Sequence, residues 1–568
     1  MGKEDLTERH YEEKIDVSSM YEKGESCYSS KDYAGALKWF RDAAGHGKAE
    51  AQNWLGDMYY DGDGVQEDYS EAVKWYKEAA IQGSAEAQNS LGFMYQQGQG
   101  VSQDYSKAVT WYRKAAKQGL DVAQCNLGEM YRDGLGVKQN FAEALKLFRK
   151  AAEQGYSDAQ NNLGDMYCSG QGVNENYDEA FEWYKKSAEQ GNADAQYNLG
   201  EMYEQAFYYL CNGMEFYQSD AEAVRWYRRA ASQGHLKSQK RLGDMLERGS
   251  GVERDSAESV KWYRAAAEQG DTESQTHLGD IYSGKDYWHS EVSRDFTEAA
   301  KWYRCAAENG YAEAQENLGD MYYCGTGVPQ DYAEAAKLYQ NASCHRRSSS
   351  LFRLCSMYLH GQGVKQDYPE AAKWYEELFK FESSSYCNEK YTEKVVKWFR
   401  DAAEQGVVFA QKVLGDIYYA GKGIQQNYSM AVQCYREAGE QGDLASQRTL
   451  ARMYRFGENI ARDYDEALKW YRKAASQGDM ESAAELGDMY YEGDEIPQNY
   501  KLAEKWYLQA AEQGDSYSQS ILGDMYSEGE GVKQDYAEAA KWYQKAAEQG
   551  DKDAKKSLDK IHRRLQRH

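Results

Sequence analysis

The sequence predicts an all-α fold, an α-solenoid of helix-turn-helix repeats of about 36 residues, and three observations predict it. A tryptophan position recurs as Trp39, Trp75, Trp111, Leu147, Trp183, Trp226, Trp262, Trp302, Leu338, Trp374, Trp398, Cys434, Trp470, Trp506 and Trp542, and eleven of the fourteen intervals are 36 residues. A Leu-Gly pair keeps step with it, from Leu55-Gly56 to Leu522-Gly523. Each unit is too short to bury its own apolar face, so it needs neighbours on both sides.

The unit from Ser518 to Asp553 explains the pattern residue by residue. In helix A, Ser518, Leu522, Met525 and Tyr526 share one stripe, and Gly523 lacks a Cβ and so admits a close neighbour. Gly529-Glu530-Gly531 tolerates positive φ and turns the chain. Helix B starts near Tyr536 and gathers Ala539, Ala540, Trp542, Tyr543, Ala546 and Ala547 on one broad face. Gln549-Gly550 closes it with a glycine just past the last turn.

The full pattern, AQ-x-x-LG-x-MY-x-x-G-x-GV-x-QDY-x-EA-x-KWY-x-KAA-x-QG, resembles the Sel1-like repeat, a relative of the tetratricopeptide repeat, over roughly residues 31–553. That resemblance implies a right-handed superhelix of helix pairs, with helix A lining the concave side. It also implies a protein-interaction scaffold without catalytic activity. A few cysteine-rich relatives are exported, and are associated with binding or slowly hydrolysing cell-wall-like compounds; the ten cysteines here fall at scattered repeat positions with no CxxC spacing.

In chain order, residues 1–30 form an N-terminal helical cap. Its first unit resembles a tetratricopeptide, with Gly24, Ala36, Phe40 and Ala43 spaced for a short inter-helix turn. A first block spans 31–343. Within it the interval from Trp183 to Trp226 stretches to 43, and the extra residues fall in the inter-helix turn with Phe207, Tyr208, Tyr209, Phe216 and Tyr217. Either helix A is lengthened there and its aromatics pack on adjacent repeats, or the segment protrudes to meet a partner. A four-residue insertion with Tyr287 and Trp288 occupies the same turn two units later. An irregular junction follows at 344–390: Cys344-His345-Arg346 replaces Gln-Gly, Cys355 replaces the close-packing glycine, and Trp374 to Trp398 is only 24 residues. One helix is therefore shortened or missing, with Phe379–Lys390 as the loop or short helix in its place. A second block spans 391–553. Residues 554–568 add a capping helix with Leu558, Ile561 and Leu565 on one side.

Composition narrows the function. Asp and Glu number 93 against 68 Lys and Arg, a net charge of −25, so phosphate backbones are repelled and nucleic acid is a poor partner. Mean hydropathy is −0.92. No apolar run reaches the ~20 residues of a membrane span, and the start, MGKEDLTERHYEEKID, lacks the apolar stretch of a signal peptide, so a cytoplasmic location is expected. The nine histidines include no HxxxH or HExxH, Asp61-Gly62-Asp63-Gly64 lacks the further ligands of a calcium loop, and no phosphate-binding or nucleophile motif occurs, so neither metal nor cofactor is expected.

The remaining candidate is a surface. Asn53, Asp57 and Tyr60 stand at i, i+4 and i+7 on helix A and are expected to point away from helix B. Acidic residues recur at the Asp57 position, among them Asp165, Asp320 and Asp416, beside Tyr197, Tyr323 and Tyr419. This ladder is either a solvated face or a groove for one or more proteins or peptides of basic character. The expected function is a non-enzymatic scaffold or adaptor that holds partners on that face and on the insertions; carbohydrate binding through the tyrosine-rich insertion, or weak hydrolysis, is the alternative.

Overall fold

The computed structural model describes residues 16–205, 219–286, 289, 291–345, 347–380, 385–421 and 424–565, with the backbone alone over 379–380 and 385–392. Phe207, Tyr208, Tyr209, Phe216, Tyr217, Tyr287, Trp288 and the first half of the N-terminal cap lie outside the described residues. Thirty α-helices and no strands are found among those described, most of them 13 residues long.

Local chemistry sets where each helix starts and stops. Asp68 Oδ1 accepts from the backbone N–H groups of Ser70 and Glu71, both at 3.0 Å, and Asn140, Asp255 and Asn427 cap their B helices in the same way. The glycines of the turn have different tasks. Gly98 ends its A helix at φ +73°, whereas a Cβ on Gly100 would lie 2.3 Å from the carbonyl oxygen of Tyr69, on the preceding B helix. The second glycine is thus required by contact between repeats as well as by the turn.

Packing within a pair turns on the Leu-Gly glycine. A Cβ on Gly523 would fall 2.6 Å from the Tyr543 ring, and Gly56, Gly164 and Gly487 face Tyr76, Tyr184 and Tyr507 equally closely. What approaches the bare backbone is therefore a tyrosine ring lying flat across helix A. The tryptophans divide: Trp470 is fully buried, while Trp111 and Trp183 are half-exposed and covered by Lys114 and Lys186 at 3.8 and 4.1 Å from the ring centre.

The chain forms two compact units, Met1–Asp295 and Phe296–His568. In the first, A and B helices alternate from Val17–Ser29 and Tyr33–Gly45 to Thr272–Ser283, each packed on the next. The helix that meets the long insertion, Ala193–Glu204, stops at Glu204, so the insertion does not lengthen it. In the second unit, Phe296–Glu308 is a B helix, and regular pairs follow to Tyr536–Glu548 with one exception. After Tyr368–Lys380 comes a single 20-residue helix, Ser385–Glu404, whose second half is a B helix with Val395, Val396 and Phe399 buried. An entire A helix is thus missing, and Ser385–Lys390 belongs to the extended B helix instead of a loop. Phe352 of the preceding A helix stacks on Trp398 at 5.2 Å across the gap. The closing helix, Lys552–Leu565, buries Ile561 but leaves Leu565 exposed.

Candidate functional site

The acidic positions of helix A do not turn away from helix B. The hydroxyl of Tyr76 donates to Asp57 Oδ1 at 2.8 Å, and the same bond, 19 residues apart, links Tyr184 to Asp165, Tyr339 to Asp320, Tyr435 to Asp416, Tyr507 to Asp488 and Tyr543 to Asp524 at 2.6–2.7 Å. One motif explains both residues: the glycine makes room for the ring, and the next residue receives its hydroxyl. Neighbouring repeats add partners. Asn198 Nδ2 donates to Asp165 Oδ1 at 3.2 Å and Arg353 pairs with Asp320 at 3.4 Å, while Lys412, one turn earlier on the same helix, pairs with Asp416 at 3.0 Å. These carboxylates form a hydrogen-bonded seam along the A helices, and a ladder of uniformly solvated charges is not what the repeats build.

The tyrosines beside them are also engaged. Tyr323 donates to Gln362 at 3.0 Å and carries Arg353 over its ring; Tyr419 donates to Glu458 at 3.2 Å, and Tyr197 to Glu201 at 2.9 Å. Tyr60 contacts Tyr69 and Phe93, with ring centres 5.3 and 6.4 Å away.

Around Tyr60 the seam opens into a cleft of about 370 Å³, lined by Asp57, Tyr60, Asp61, Tyr76, Asn89, Ser90, Phe93 and Met94. Burial pushes the Asp57 carboxyl up to about 6, against the Tyr76 hydrogen bond and with the Asp61 charge adding to the rise. Burial, then the neighbouring Asp63, raises Asp61 as well. Asn53 Nδ2 donates to Asp57 Oδ2 at 3.1 Å, while its own Oδ1 is buried without a partner. Two carboxyls reluctant to ionise, flanked by aromatic rings, make a place where a cation is favoured.

A second polar centre was not legible in motif spacing. His277 Nε2 lies 3.3 Å from Glu247 Oε2 and 3.8 Å from Asp286 Oδ2; His289 Nδ1 lies 2.6 Å from Asp286 Oδ2 and 4.0 Å from Glu247 Oε1. The four donor atoms lie within 4.8 Å of one another, and His289 is almost fully buried. Burial opposes ionisation of both Glu247 and His277, but their mutual pairing outweighs it, lowering the carboxyl and raising the imidazole. The ligand types were visible in sequence; the separations of 30 and 12 residues fit no local motif.

The Sel1 repeat family model matches residues 15–48, 49–84, 85–120, 121–156, 157–192, 193–235, 236–271, 272–311, 312–345, 348–378, 408–443, 444–479, 481–515 and 516–551. Among solved structures the chain is similar to a protective antigen present in uropathogenic Escherichia coli strains displaying an SLR fold, at 33% identity over 86% of this chain and 96% of that one, with a TM-score of 0.49. It is also similar to a Sel1 repeat protein from Oxalobacter formigenes, at 33% identity over 44% of this chain and 96% of that one, with a TM-score of 0.40. An immunity protein from Pseudomonas aeruginosa matches at 21% identity over 39% of this chain and 81% of that one, with a TM-score of 0.28. No curated protein matches the chain.

Proposed function

The chain belongs to the Sel1 repeat family, whose members generally mediate protein–protein interaction, and from that premise we propose that it is a non-enzymatic scaffold whose A-helix face takes basic peptide segments of partner proteins. The cleft at Asp57, Tyr60, Asp61 and Phe93 is the strongest position for such a contact. The observation that carries this reading is the pair of carboxyls, Asp57 half-buried and Asp61 at the exposed rim, each raised above its ordinary value, in a cleft lined by Tyr60 and Phe93. A lysine or arginine entering there restores the charge balance that burial has disturbed, and its stem covers the Tyr60 and Phe93 rings. Elsewhere on the seam Asp320 and Asp416 are already paired with the cations Arg353 and Lys412, and Asp165 lies in the field of Arg132, so they set the local potential and fix register more than they anchor a ligand. The insertion aromatics Phe207, Tyr208, Tyr209, Phe216, Tyr217 and Trp288 remain proposed secondary contacts. Among the described residues no helix is long and apolar enough to cross a membrane, and eight cysteines are free, which supports the proposed cytoplasmic placement.

The test is a random peptide library displayed on phage, selected on the full chain and counter-selected on the Asp57→Asn, Asp61→Asn double variant. Enriched peptides should carry lysine or arginine, bind the double variant at least ~10-fold more weakly, and lose affinity as salt rises. Enriched sequences without basic residues, or equal binding to the double variant, would refute the proposed contact.

A further inference from the structure

Three departures from the repeat pattern converge on one point in the first unit. Glu247 occupies the position that Tyr60 and Tyr323 hold in other repeats, His277 stands where Asn162 and Asn198 reach back to the preceding A helix, and Asp286 and His289 lie in the turn that carries the four-residue insertion. Their side chains present two imidazole nitrogens and two carboxylates within 4.8 Å. A tetrahedral ion that holds N and O ligands at ~2.0–2.2 Å needs its donor atoms about 3.3–3.6 Å apart. The four His–carboxylate separations of 2.6–4.0 Å bracket that value and no donor pair exceeds 4.8 Å, so side-chain shifts of about an ångström would close the cage.

The surroundings are built for ligation. Ser259 Oγ donates its proton to the Gly243 carbonyl at 3.0 Å and lies 3.3 Å from His289 Nε2, so it is placed to accept from that nitrogen. Donation from Nε2–H to Ser259 is the outer support a ligating histidine requires, and Nδ1, which hydrogen-bonds Asp286 Oδ2 at 2.6 Å, is the nitrogen an ion would take in exchange for its proton. Tyr263 donates to Glu247 Oε2 at 2.7 Å and orients that carboxylate. His277 Nε2 is closed off from solvent and lies 3.3 Å from Glu247 Oε2 and 3.8 Å from Asp286 Oδ2, within ion-pair reach of both carboxylates.

We propose that Glu247, His277, Asp286 and His289 form a binding site for a divalent transition-metal ion, Zn²⁺ by its fit to four N and O donors, that staples the insertion to the A helices of two successive repeats. Two imidazoles with two carboxylates suit a borderline ion better than calcium or magnesium, which take oxygen donors. All four positions are filled by protein, so the site is structural: it fixes the edge of the stack from which the insertion emerges.

The test uses the tag-free full-length chain stripped with chelator. Calorimetric titration with Zn²⁺ should give one saturable equivalent at micromolar affinity or tighter, and Co²⁺ should give the intense visible bands of a tetrahedral site. His277→Gln and Asp286→Asn, each checked for unchanged far-ultraviolet circular dichroism, should weaken Zn²⁺ binding at least 10-fold. Zn²⁺ should also slow amide exchange over residues 277–292 in the unaltered chain only. No saturable binding, or Zn²⁺ bound equally by both variants and therefore held elsewhere, would overturn the proposal and leave the four residues as an ion-pair network.

Discussion

Where a glycine is followed by an aspartate on helix A, the two decide how the helix pair closes. The glycine leaves a slot for a tyrosine ring and the aspartate receives its hydroxyl, so substituting either changes the same contact. Gly523→Leu drives a side chain into the Tyr543 ring, which is itself 3% exposed and has no free space to rotate into. We expect a loss of ~1–3 kcal/mol in denaturant unfolding of the C-terminal repeats, and an unchanged midpoint would show that the ring can yield. Asp57 gives a pH signature. Its folded-state value of about 6 lies above its ordinary 3.8, so the folded carboxyl keeps a proton that the unfolded chain releases. Ionisation therefore costs stability above pH 6, and that cost fades as pH falls towards 4. Over the same window the cleft loses a charge, so a lysine-containing peptide selected at pH 7.5 should bind several-fold more weakly at pH 5. Asp57→Asn should flatten that dependence; equal loss in the variant would assign the titration to another group. Much of this contact was legible in sequence, because Gly56, Asp57 and Tyr76 recur in register, but a bond 19 residues long joins two helices whose crossing no periodicity specifies, and so Asp57 was expected to face outward.

Between elements, the glutamines that open helix A and close helix B form a relay. Gln88 Nε2 donates to the Ala80 carbonyl at the end of the preceding B helix, and its Oε1 accepts from Gln118 of the next at 2.9 Å. Gln160 repeats the pattern between Ala152 and Gln190, and Gln411 between Ala403 and Gln441. Each link satisfies an orphan helix carbonyl with an otherwise buried amide, which explains why AQ and QG are fixed in the repeat. The relay fails in the second unit at Gln315, whose Oε1 is buried without a partner because His345 stands where the closing glutamine belongs. Glu316, Arg347, Ser349 and Ser350 gather beside it as a substitute polar cluster. We expect His345→Gln to restore the link and raise stability by ~0.5–1.5 kcal/mol. No gain in the unfolding midpoint would mean that the Glu316 cluster already compensates. The sequence made the repetition of these glutamines plain, yet partners 30 residues apart could be matched only after the helices were stacked; the same distance hid His277 from Glu247.

Over the whole molecule, a repeat array is about as cooperative as its poorest interface, because stability is approximately a sum of unit terms and nearest-neighbour terms. From Gln315 to Phe399 the chain departs from the pattern in several neighbouring interfaces. The glutamine relay is broken, Cys355 stands in place of the slot glycine, and one A helix is absent, so the extended helix Ser385–Glu404 follows Tyr368–Lys380 without a hairpin partner of its own. Apolar packing works against complete separation: one core runs from Phe352 and Tyr375 through Val395 and Phe399 to Trp542, and Phe352 stacks on Trp398 where the missing helix would lie. Packing of this kind holds the two sides together, but a stack that lacks one A helix has fewer helix–helix interfaces there than a full repeat supplies, and local opening costs least where neighbours are fewest. We therefore propose 344–390 as the weak joint between a block spanning 31–343 and another spanning 391–553. Limited proteolysis of the native chain should cut first between Ser383 and Lys390 and leave two fragments that each retain helical circular dichroism. If the first cuts fall between Phe207 and Gln218 while 383–390 resists, the continuous core from Phe352 to Trp542 outweighs the lost helix, and the array is joined as firmly there as at any regular repeat.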